Sequence, residues 1–339
     1  MLTKKVPFYY LLVVSAFFLL LMSVGVLFYK NKSVAAVEAP IETSTAHSNL
    51  CDLNAKRLNG YQFIKPLLYA EPYCESQFLA SYKHEIESLI GAYKSKGDIT
   101  SAAVYIRTFA NPQWIAINET EKFSPGSLLK VPEMMTLYKM EEAKPGFLKK
   151  TFLYEKPFVT HRNTTFNSNH IQVGKTYSVQ ELIRYMIVYS DNEATMMLNQ
   201  VIDRNMFNKV FSDVGLKEPD FNSNDYPMSA PDYSVFFKEL FNGSYLTMEH
   251  SEACMKLLTE SDFEEGMMGG LPSGCMAAHK FGEGGPENAP NFCESAMIYT
   301  GNKPFLLTIM TKGADMKKLP NVVKEITKKV YAVMGTTVS

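Results

Sequence analysis

The chain has 339 residues, of which 46% are hydrophobic and 12% aromatic, so it can bury a large core as one domain or as two interlocked lobes. Its 34 Lys and Arg residues balance 35 Asp and Glu residues, a ratio that gives no basic surface for nucleic acid and no bulk attraction to an anionic surface. We therefore expect a small or neutral partner and no nucleic acid.

Cysteine and histidine spacing does not indicate a metal site. The five cysteines include no C-x-x-C pair, and the six histidines include no H-x-x-x-H pair. We therefore predict no metal ion and no cofactor. Cys51 and Cys74 lie close enough in sequence to be the candidate pair for a disulfide in an oxidising compartment. Because five is an odd number, at least one thiol stays free unless an intermolecular bond forms.

An uncharged apolar segment occupies residues 6–29, with lysines on both sides. Its 24 residues can span a bilayer and exceed the roughly 7–15 residues of the apolar region of a signal peptide. We predict a short cytoplasmic tail (1–5), an uncleaved transmembrane anchor (6–29) and an extracytoplasmic domain, either periplasmic or on the outer face of the cell membrane. A cleaved signal peptide is the alternative, because Ser33-Val34-Ala35 resembles a cleavage site.

A linker at residues 30–50, rich in Ala, Ser, Thr and Glu, separates this anchor from a single predicted domain at 51–339. Apolar periodicity and capping residues predict helices at 78–97, 127–143, 181–188, 194–201 and 322–333. Short apolar runs bounded by turn residues predict strands at 102–106, 114–117, 274–282, 294–300 and 305–312. This order implies a sheet completed by segments distant in sequence, with a mainly helical block at about 144–270 inserted as a second lobe.

The first of three short motifs is Ser127-Leu128-Leu129-Lys130, at the start of a predicted helix. Positions i and i+3 share a helix face, so the Ser127 hydroxyl and the Lys130 amine can meet. The helix N-terminus also offers free amides and partial positive charge where an oxyanion develops. By itself this motif is weak, because S-x-x-K is common and Ser often begins a helix.

The other two motifs lie farther along the chain. Ser190-Asp191-Asn192 directly follows a predicted helix; with Glu193 it also forms a capping-box pattern for the helix at 194–201, which is the simpler interpretation of this motif alone. Lys280-Phe281-Gly282 lies near the end of a predicted strand, where a lysine is ordinarily a solvated charge. His279 should face the opposite side of that strand from Lys280, and we interpret it as structural.

In this order and in these contexts, the three motifs resemble those of the class A β-lactamase and penicillin-binding protein superfamily. The resemblance covers residues 78–335. It includes the sequence MIVYSDN at 186–192 and the spacing of 63 residues between Ser127 and Ser190. It implies an α+β fold with an antiparallel five-stranded sheet flanked by helices and an inserted all-helical lobe. It also implies a serine hydrolase that forms an acyl-enzyme.

The same resemblance implies a role for each motif residue. Ser127 would attack an amide carbonyl and become acylated. Neutral Lys130 would take its proton, with the pKa of Lys130 lowered by burial and by the positive charge of Lys280. Ser190 would relay a proton to the leaving nitrogen while Lys280 holds its hydroxyl in place, and Asn192 would hold Lys130.

The remaining implied roles concern substrate binding. Asn192 would bind the side-chain amide of the substrate, and the backbone amides of Ser127 and Glu283 would form the oxyanion hole. Phe281 and Gly282 would border the substrate. Phe281 departs from the family, which has Thr or Ser there, with a hydroxyl group that helps to bind a carboxylate. Because Glu283 also adds a negative charge nearby, we expect weaker recognition of an anionic substrate.

A second departure concerns the loop that supplies the deacylating glutamate in class A β-lactamases. Residues 218–222 read EPDFN and resemble the family's E-P-x-L-N segment, but the connection from Asn192 to Met228 is shorter. A surface turn is the alternative, which we favour, since Pro-Asp and Asn-Ser-Asn-Asp are turn-forming sequences. Without Glu218 as a base, acylation should be faster than deacylation.

The sequence leaves three functions open. The leading one is an acyl-serine amidase of β-lactamase type that acts on a β-lactam or a related amide. The second is a D,D-peptidase or transpeptidase that acts on a cell-wall peptide, which suits a membrane anchor. The third is a catalytically weak cell-wall-binding protein, which the unusual Phe281 would explain. Covalent labelling with penicillin separates the three. A β-lactamase would release the label fast, a peptidase would release it slowly, and a binding protein would take no label.

Overall fold

The computed structural model describes residues 52–335 except 111, 159–163, 167, 222, 224–225 and 302. These residues belong to the second of two units, which divide the chain between Leu50 and Cys51. The predicted tail, anchor and linker and Cys51 lie outside the described residues, whereas Cys74, the predicted partner of Cys51, is disulfide-bonded. Within the described part, no helix has both the length and the hydropathy needed to cross a bilayer.

The domain has the α+β fold that the motifs predict. Its strands are β1 (Leu53–Arg57), β2 (Leu67–Pro72), β3 (Ser101–Thr108), β4 (Trp114–Ile117), β5 (Thr151–Leu153), β6 (Thr176–Ser178), β7 (Met276–Gly284), β8 (Asn291–Tyr299) and β9 (Phe305–Lys312). Its α-helices are α1 (Gln77–Ser95), α2 (Lys130–Ala143), α3 (Val179–Val188), α4 (Asn192–Asn199), α5 (Arg204–Val214), α6 (Ala230–Asn242), α7 (Met248–Thr259), α8 (Gly266–Gly270) and α9 (Leu319–Met334). Short 3-10 helices occupy Gly126–Leu129 and Met316–Lys318.

The central sheet is antiparallel and has five strands in the order β4-β3-β9-β8-β7. Its register pairs Ser101 with Lys312 and Thr108 with Phe305, so strands from distant parts of the sequence lie side by side. The predicted five-stranded sheet is therefore confirmed, and β7 lies at its edge. Two smaller antiparallel pairs, β1-β2 and β5-β6, are not indicated by the sequence patterns.

Alternation along β3 gives the sheet two buried faces. Ala102, Val104 and Ile106 contribute to one hydrophobic cluster, and Ala103 and Tyr105 contribute to the other. Helices α1 and α9 cover the first face, and helices of the inserted block cover the second. Because both faces are covered, β3 is a continuous apolar run rather than an alternation of apolar and polar residues.

Helices α1 and α9 bury the faces that their apolar periodicity predicts. In α1 the buried residues include Ile86 and Ile90, and in α9 they include Val323. The side chain of Ser76 accepts a hydrogen bond from the amide of Leu79 and so caps the start of α1. The two helices form one layer of the domain, on the side of the sheet opposite the inserted block.

The inserted block contains α3 to α7 and the β5-β6 pair. A capping box begins α3: the Ser178 hydroxyl accepts a hydrogen bond from the amide of Glu181, and the Glu181 carboxylate accepts one from the amide of Ser178. Helix α3 then buries Leu182 and Met186 in the core. The motif that begins with Ser190 follows α3 directly, so these buried residues fix its position beside the sheet.

Candidate active site

Two glycines allow strand β7 to lie directly against the 3-10 turn that carries Ser127. Gly126 has a φ of +54°, a left-handed conformation that favours glycine, and a Cβ atom there would overlap the backbone of Glu283. A Cβ atom on Gly282 would lie 2.7 Å from the amide nitrogen of Leu128 and 2.9 Å from that of Ser127. The backbone amides of Ser127 and Glu283 therefore lie at one junction.

Lys130 begins α2 and is buried beside the motif of Ser190. Its Nζ donates hydrogen bonds to the backbone oxygen of Ser190 at 2.6 Å and to Oδ1 of Asn192 at 2.8 Å. Burial lowers the pKa of Lys130 to about 8, against the opposing effect of nearby carboxylates, chiefly those of Glu133 and Asp191. This amine can therefore be neutral, and accept a proton, at a mildly alkaline pH.

The hydroxyl group of Ser190 lies between two buried lysines. Its Oγ accepts a hydrogen bond of 3.4 Å from Lys130 and one of 2.9 Å from Lys280. Ser190 has a φ of +54°, a conformation that costs a residue other than glycine about 1–2 kcal/mol. Burial, and then the positive charge of Lys130, hold the pKa of Lys280 well below its ordinary value. The resemblance implied that the charge of Lys280 lowers the pKa of Lys130. In the structure it is the charge of Lys130 that lowers the pKa of Lys280.

Asp191, and not Ser190, caps helix α4. Its carboxylate accepts hydrogen bonds from the amides of Glu193 and Ile171, both at 3.0 Å, and lies 3.1 Å from Nδ1 of His170. The capping-box interpretation of Ser190 and Glu193 is therefore wrong, because an aspartate one residue later binds the helix N-terminus. The Ser190 hydroxyl is left in contact with the two lysines.

The carboxylate of Glu283 binds a neighbouring segment of the chain. It accepts hydrogen bonds from the amides of Thr165 at 2.7 Å and Phe166 at 3.1 Å. Thr164, the preceding residue, lines the same cavity as Ser127. The Glu283 carboxylate, which we expected beside the substrate, thus binds the segment that forms one wall of this cavity.

The ring of Phe281 lies in an aromatic cluster with Phe166, Phe263 and Phe292. It is 6% exposed and stacks on Phe263 with ring centroids 4.0 Å apart. This cluster belongs to the core on the α1 and α9 face of the sheet. The structure does not bring the Phe281 side chain among the described residues that line the Ser127 cavity.

His279 also belongs to the side of β7 away from Ser190, as alternation with Lys280 predicts. Its Nδ1 lies 2.9 Å from Oε1 of Glu294, and both side chains are buried. The other carboxylate oxygen of Glu294 accepts a hydrogen bond of 2.8 Å from the amide of Met267 in α8. His279 therefore takes part in a buried contact that joins β7, β8 and α8.

Two glutamates occupy different positions relative to Ser127. Glu218 is exposed and is not one of the described residues that line the Ser127 cavity. Glu133, which the motifs do not include, lines this cavity of about 220 Å³ together with Ser127 and Lys130. It lies three residues after Lys130 on α2, so the i, i+3 spacing that connects Ser127 with Lys130 is the sequence signal that identifies it.

Residues 81–334 match the family model described as the beta-lactamase enzyme family. The chain belongs to this family. A PBP-A mutant, solved as an acyl-enzyme complex with penicillin G, is 17% identical with a TM-score of 0.62, over 76% of this chain and 97% of that one. A class A beta-lactamase from Mycobacterium abscessus is 17% identical (TM-score 0.63, 75% and 99% covered), and the TLA-3 extended-spectrum beta-lactamase is 16% identical (TM-score 0.64, 76% and 99% covered).

A comparison with curated proteins found no match. For this member of the beta-lactamase enzyme family, the matched residues include the turn of Ser127, the motif of Ser190 and strand β7. The superfamily and the fold that the three motifs predict are therefore confirmed. At identities of 16–17% the structural similarity concerns the fold alone, so the substrate has to be argued from the site.

Proposed function

We propose that this protein is a serine hydrolase of the class A β-lactamase type, which forms an acyl-enzyme at Ser127 with a β-lactam or a related amide. The observation that carries this proposal is the contact of two buried lysines, Lys130 and Lys280, with the hydroxyl group of Ser190 beside the turn of Ser127. Burial of two like charges at one hydroxyl group is costly, and perturbed pKa values in a cleft are typical of catalytic sites.

In the proposed acylation step, Ser127 Oγ attacks the carbonyl carbon while neutral Lys130 accepts the hydroxyl proton. The amides of Ser127 and Glu283 stabilise the oxyanion. Ser190, held by Lys280, then passes a proton from Lys130 to the leaving nitrogen as the carbon–nitrogen bond breaks. Ser127 is left as an ester, and Lys130 is neutral again.

Substrate binding is proposed for Asn192 and for other residues of the cavity wall. Asn192 uses its Oδ1 to hold Lys130, which leaves its NH2 group to donate to a side-chain amide of the substrate. Thr164 and Tyr226 line the same cavity. Gly282 contributes by bringing β7 against the turn, because a side chain at this position would overlap the turn backbone.

A D,D-peptidase or transpeptidase that acts on a cell-wall peptide is the second candidate. The exposure of Glu218 favours it, because a deacylating glutamate on this loop is the feature that the resemblance to class A β-lactamases would require. Both candidates share acylation at Ser127. They differ in the rate at which the acyl-enzyme is hydrolysed, which is fast for a β-lactamase and slow for a peptidase that has reacted with penicillin.

We also propose that residues 6–29 anchor the protein in a membrane with its domain on the extracytoplasmic side. The uncharged segment of 24 residues supports this proposal. Full-length protein should sediment with membranes, and a chain of residues 40–339 should be soluble. Recovery of a mature form that begins at Ala36 from the soluble extracytoplasmic fraction would instead show that the segment is a cleaved signal.

Labelling with a fluorescent penicillin tests acylation at Ser127. Wild-type protein should take the label, and Ser127→Ala should take none, while its thermal unfolding stays nearly unchanged because this hydroxyl contributes little to the core. Ser88→Ala, on the exposed side of α1, is the control and should label normally. Equal labelling of Ser127→Ala would contradict the assignment of the nucleophile. An unlabelled wild-type protein would contradict both enzyme functions and leave the cell-wall-binding protein.

A further inference from the structure

Glu133 lies in the first turn of α2, on the helix that begins with Lys130. It lines the cavity that Ser127 and Lys130 share, and also the adjoining cavity bordered by Phe221. Helix α2 directly follows the turn of Ser127. The carboxylate of Glu133 therefore reaches the cavity from a helix, whereas Glu218 belongs to a loop. Its position is therefore fixed by the same elements that fix Ser127.

One carboxylate oxygen of Glu133 is left without a structural role. Its Oε2 is buried and has no hydrogen-bond partner among the described residues. A buried polar atom in this state destabilises the fold and is rare enough in folded proteins to require an explanation. Burial raises the pKa of Glu133 to about 7, against the opposing effect of the positive charge of Lys130. Such a group can accept a proton and return it near neutral pH.

We infer that Glu133 is the general base for hydrolysis of the acyl-enzyme, an inference that rests on the proposed acylation of Ser127. The Glu133 carboxylate takes a proton from a water molecule while the water oxygen bonds to the ester carbonyl carbon. The oxyanion then collapses, and the bond between this carbon and Ser127 Oγ breaks. The proton held by Glu133 passes through Lys130 to Ser127 Oγ, which restores the serine hydroxyl and releases a carboxylic acid.

A base on α2 removes the need for a glutamate on the loop that precedes α6. Glu218 of that loop is exposed, whereas Glu133 lies on the cavity wall. The slow deacylation predicted from the shortened loop depended on Glu218 as the sole source of a base. With Glu133 in place, the wild-type protein has a base for both the β-lactamase and the peptidase alternatives, and hydrolysis of the ester depends on it in either case.

The Glu133→Gln variant tests this inference, because it keeps the size of the side chain and removes its charge. After mixing with benzylpenicillin, intact-protein mass spectrometry should show acylation at least as fast as in the wild type, since the Glu133 charge raises the pKa of Lys130 and its loss favours the neutral amine. Release of the adduct should slow by about 10²–10⁴-fold. The wild-type release rate should rise with pH through about 7, and the variant should lack this rise.

Glu218→Gln is the matched control and should release the adduct at the wild-type rate. Glu133→Asp, which keeps a carboxylate, should retain more of the release rate than Glu133→Gln and serves as the test if the amide variant does not fold. Equal release from Glu133→Gln and the wild type, or slower release from Glu218→Gln alone, would overturn the inference. An unlabelled wild-type protein would overturn it by a different route, because acylation itself would then be absent.

Discussion

Gly126 and Glu283 meet where the turn that carries Ser127 crosses β7, and a Cβ atom on Gly126 would overlap the backbone carbonyl group of Glu283. The closeness of this approach brings together the two amides of the proposed oxyanion hole. Position 126 therefore requires glycine for two reasons. Its φ is +54°, and there is no space for a side chain.

Gly126→Ala should therefore lower the free energy of unfolding by more than about 2 kcal/mol and abolish labelling by penicillin, because the backbone cost and the overlap act together. Gly274→Ala is the control, since its φ is +81° but no atom lies within 4 Å of the added Cβ. It should cost only the backbone term of about 1–2 kcal/mol and label normally. Urea denaturation measures both values, and equal losses would show that β7 is not in close contact with the turn.

The rate of acylation should rise with pH through a midpoint near 8. Burial lowers the pKa of Lys130 to about 8, and only the neutral amine, which predominates above this pKa, can accept the proton of Ser127. Glu283→Gln should move the midpoint to lower pH, because the Glu283 carboxylate raises the pKa of Lys130. Labelling rates between pH 5.5 and 9.5 provide the measurement, and a midpoint that moves upward would contradict this account of Lys130.

Lys280→Met should slow acylation by about 10²-fold or more, because Ser190 loses the donor that holds its hydroxyl group. Methionine fills a similar volume, and removal of a buried ammonium group avoids its desolvation cost, so the free energy of unfolding should not fall. Lys149→Met, at an exposed position, should change neither quantity. A Lys280→Met variant that acylates at the wild-type rate would exclude Lys280 from the proposed proton relay.

Phe281→Thr should destabilise the domain by about 2–4 kcal/mol, because a buried ring leaves its aromatic cluster. It should not improve the labelling rate, although threonine matches the family pattern, since Phe281 is not among the described residues that line the Ser127 cavity. Phe63→Thr is the control, as Phe63 is 88% exposed and should tolerate the change. Thermal unfolding and second-order labelling rates test both parts, and a tenfold gain in labelling would show that residue 281 reaches the substrate.

Local patterns predict much of this fold because they depend on residues a few positions apart. The capping box at Ser178 and Glu181 forms as its spacing requires. Alternation along one strand places His279 and Lys280 on opposite sides of β7. The three motifs occur in a fixed order, the first at the start of a helix, the second after a helix and the third on a strand. This order and these contexts are sufficient to predict the superfamily and the five-stranded sheet.

Contacts between distant segments could not be predicted in this way. The partners of the Glu283 carboxylate are amides 117 and 118 positions earlier in the chain. Asp191 caps α4 in place of Ser190, and the Ser190 hydroxyl contacts lysines from α2 and β7, neither of which belongs to the local capping pattern. Glu133 has the local i, i+3 spacing from Lys130, but its place on the cavity wall also depends on Tyr226, far along the chain, so the spacing alone did not distinguish it from an ordinary helix residue.

The pairing of β3 with β9 has a consequence for the order in which the domain folds. Residues 101 and 312, and residues 108 and 305, must meet across a long intervening chain, and contacts of such high contact order form slowly because the loop has to close first. A chain that has reached residue 270 can form helices but has an open edge on β3. Reactivity towards penicillin should therefore return late in refolding, after most of the helical circular dichroism signal has recovered.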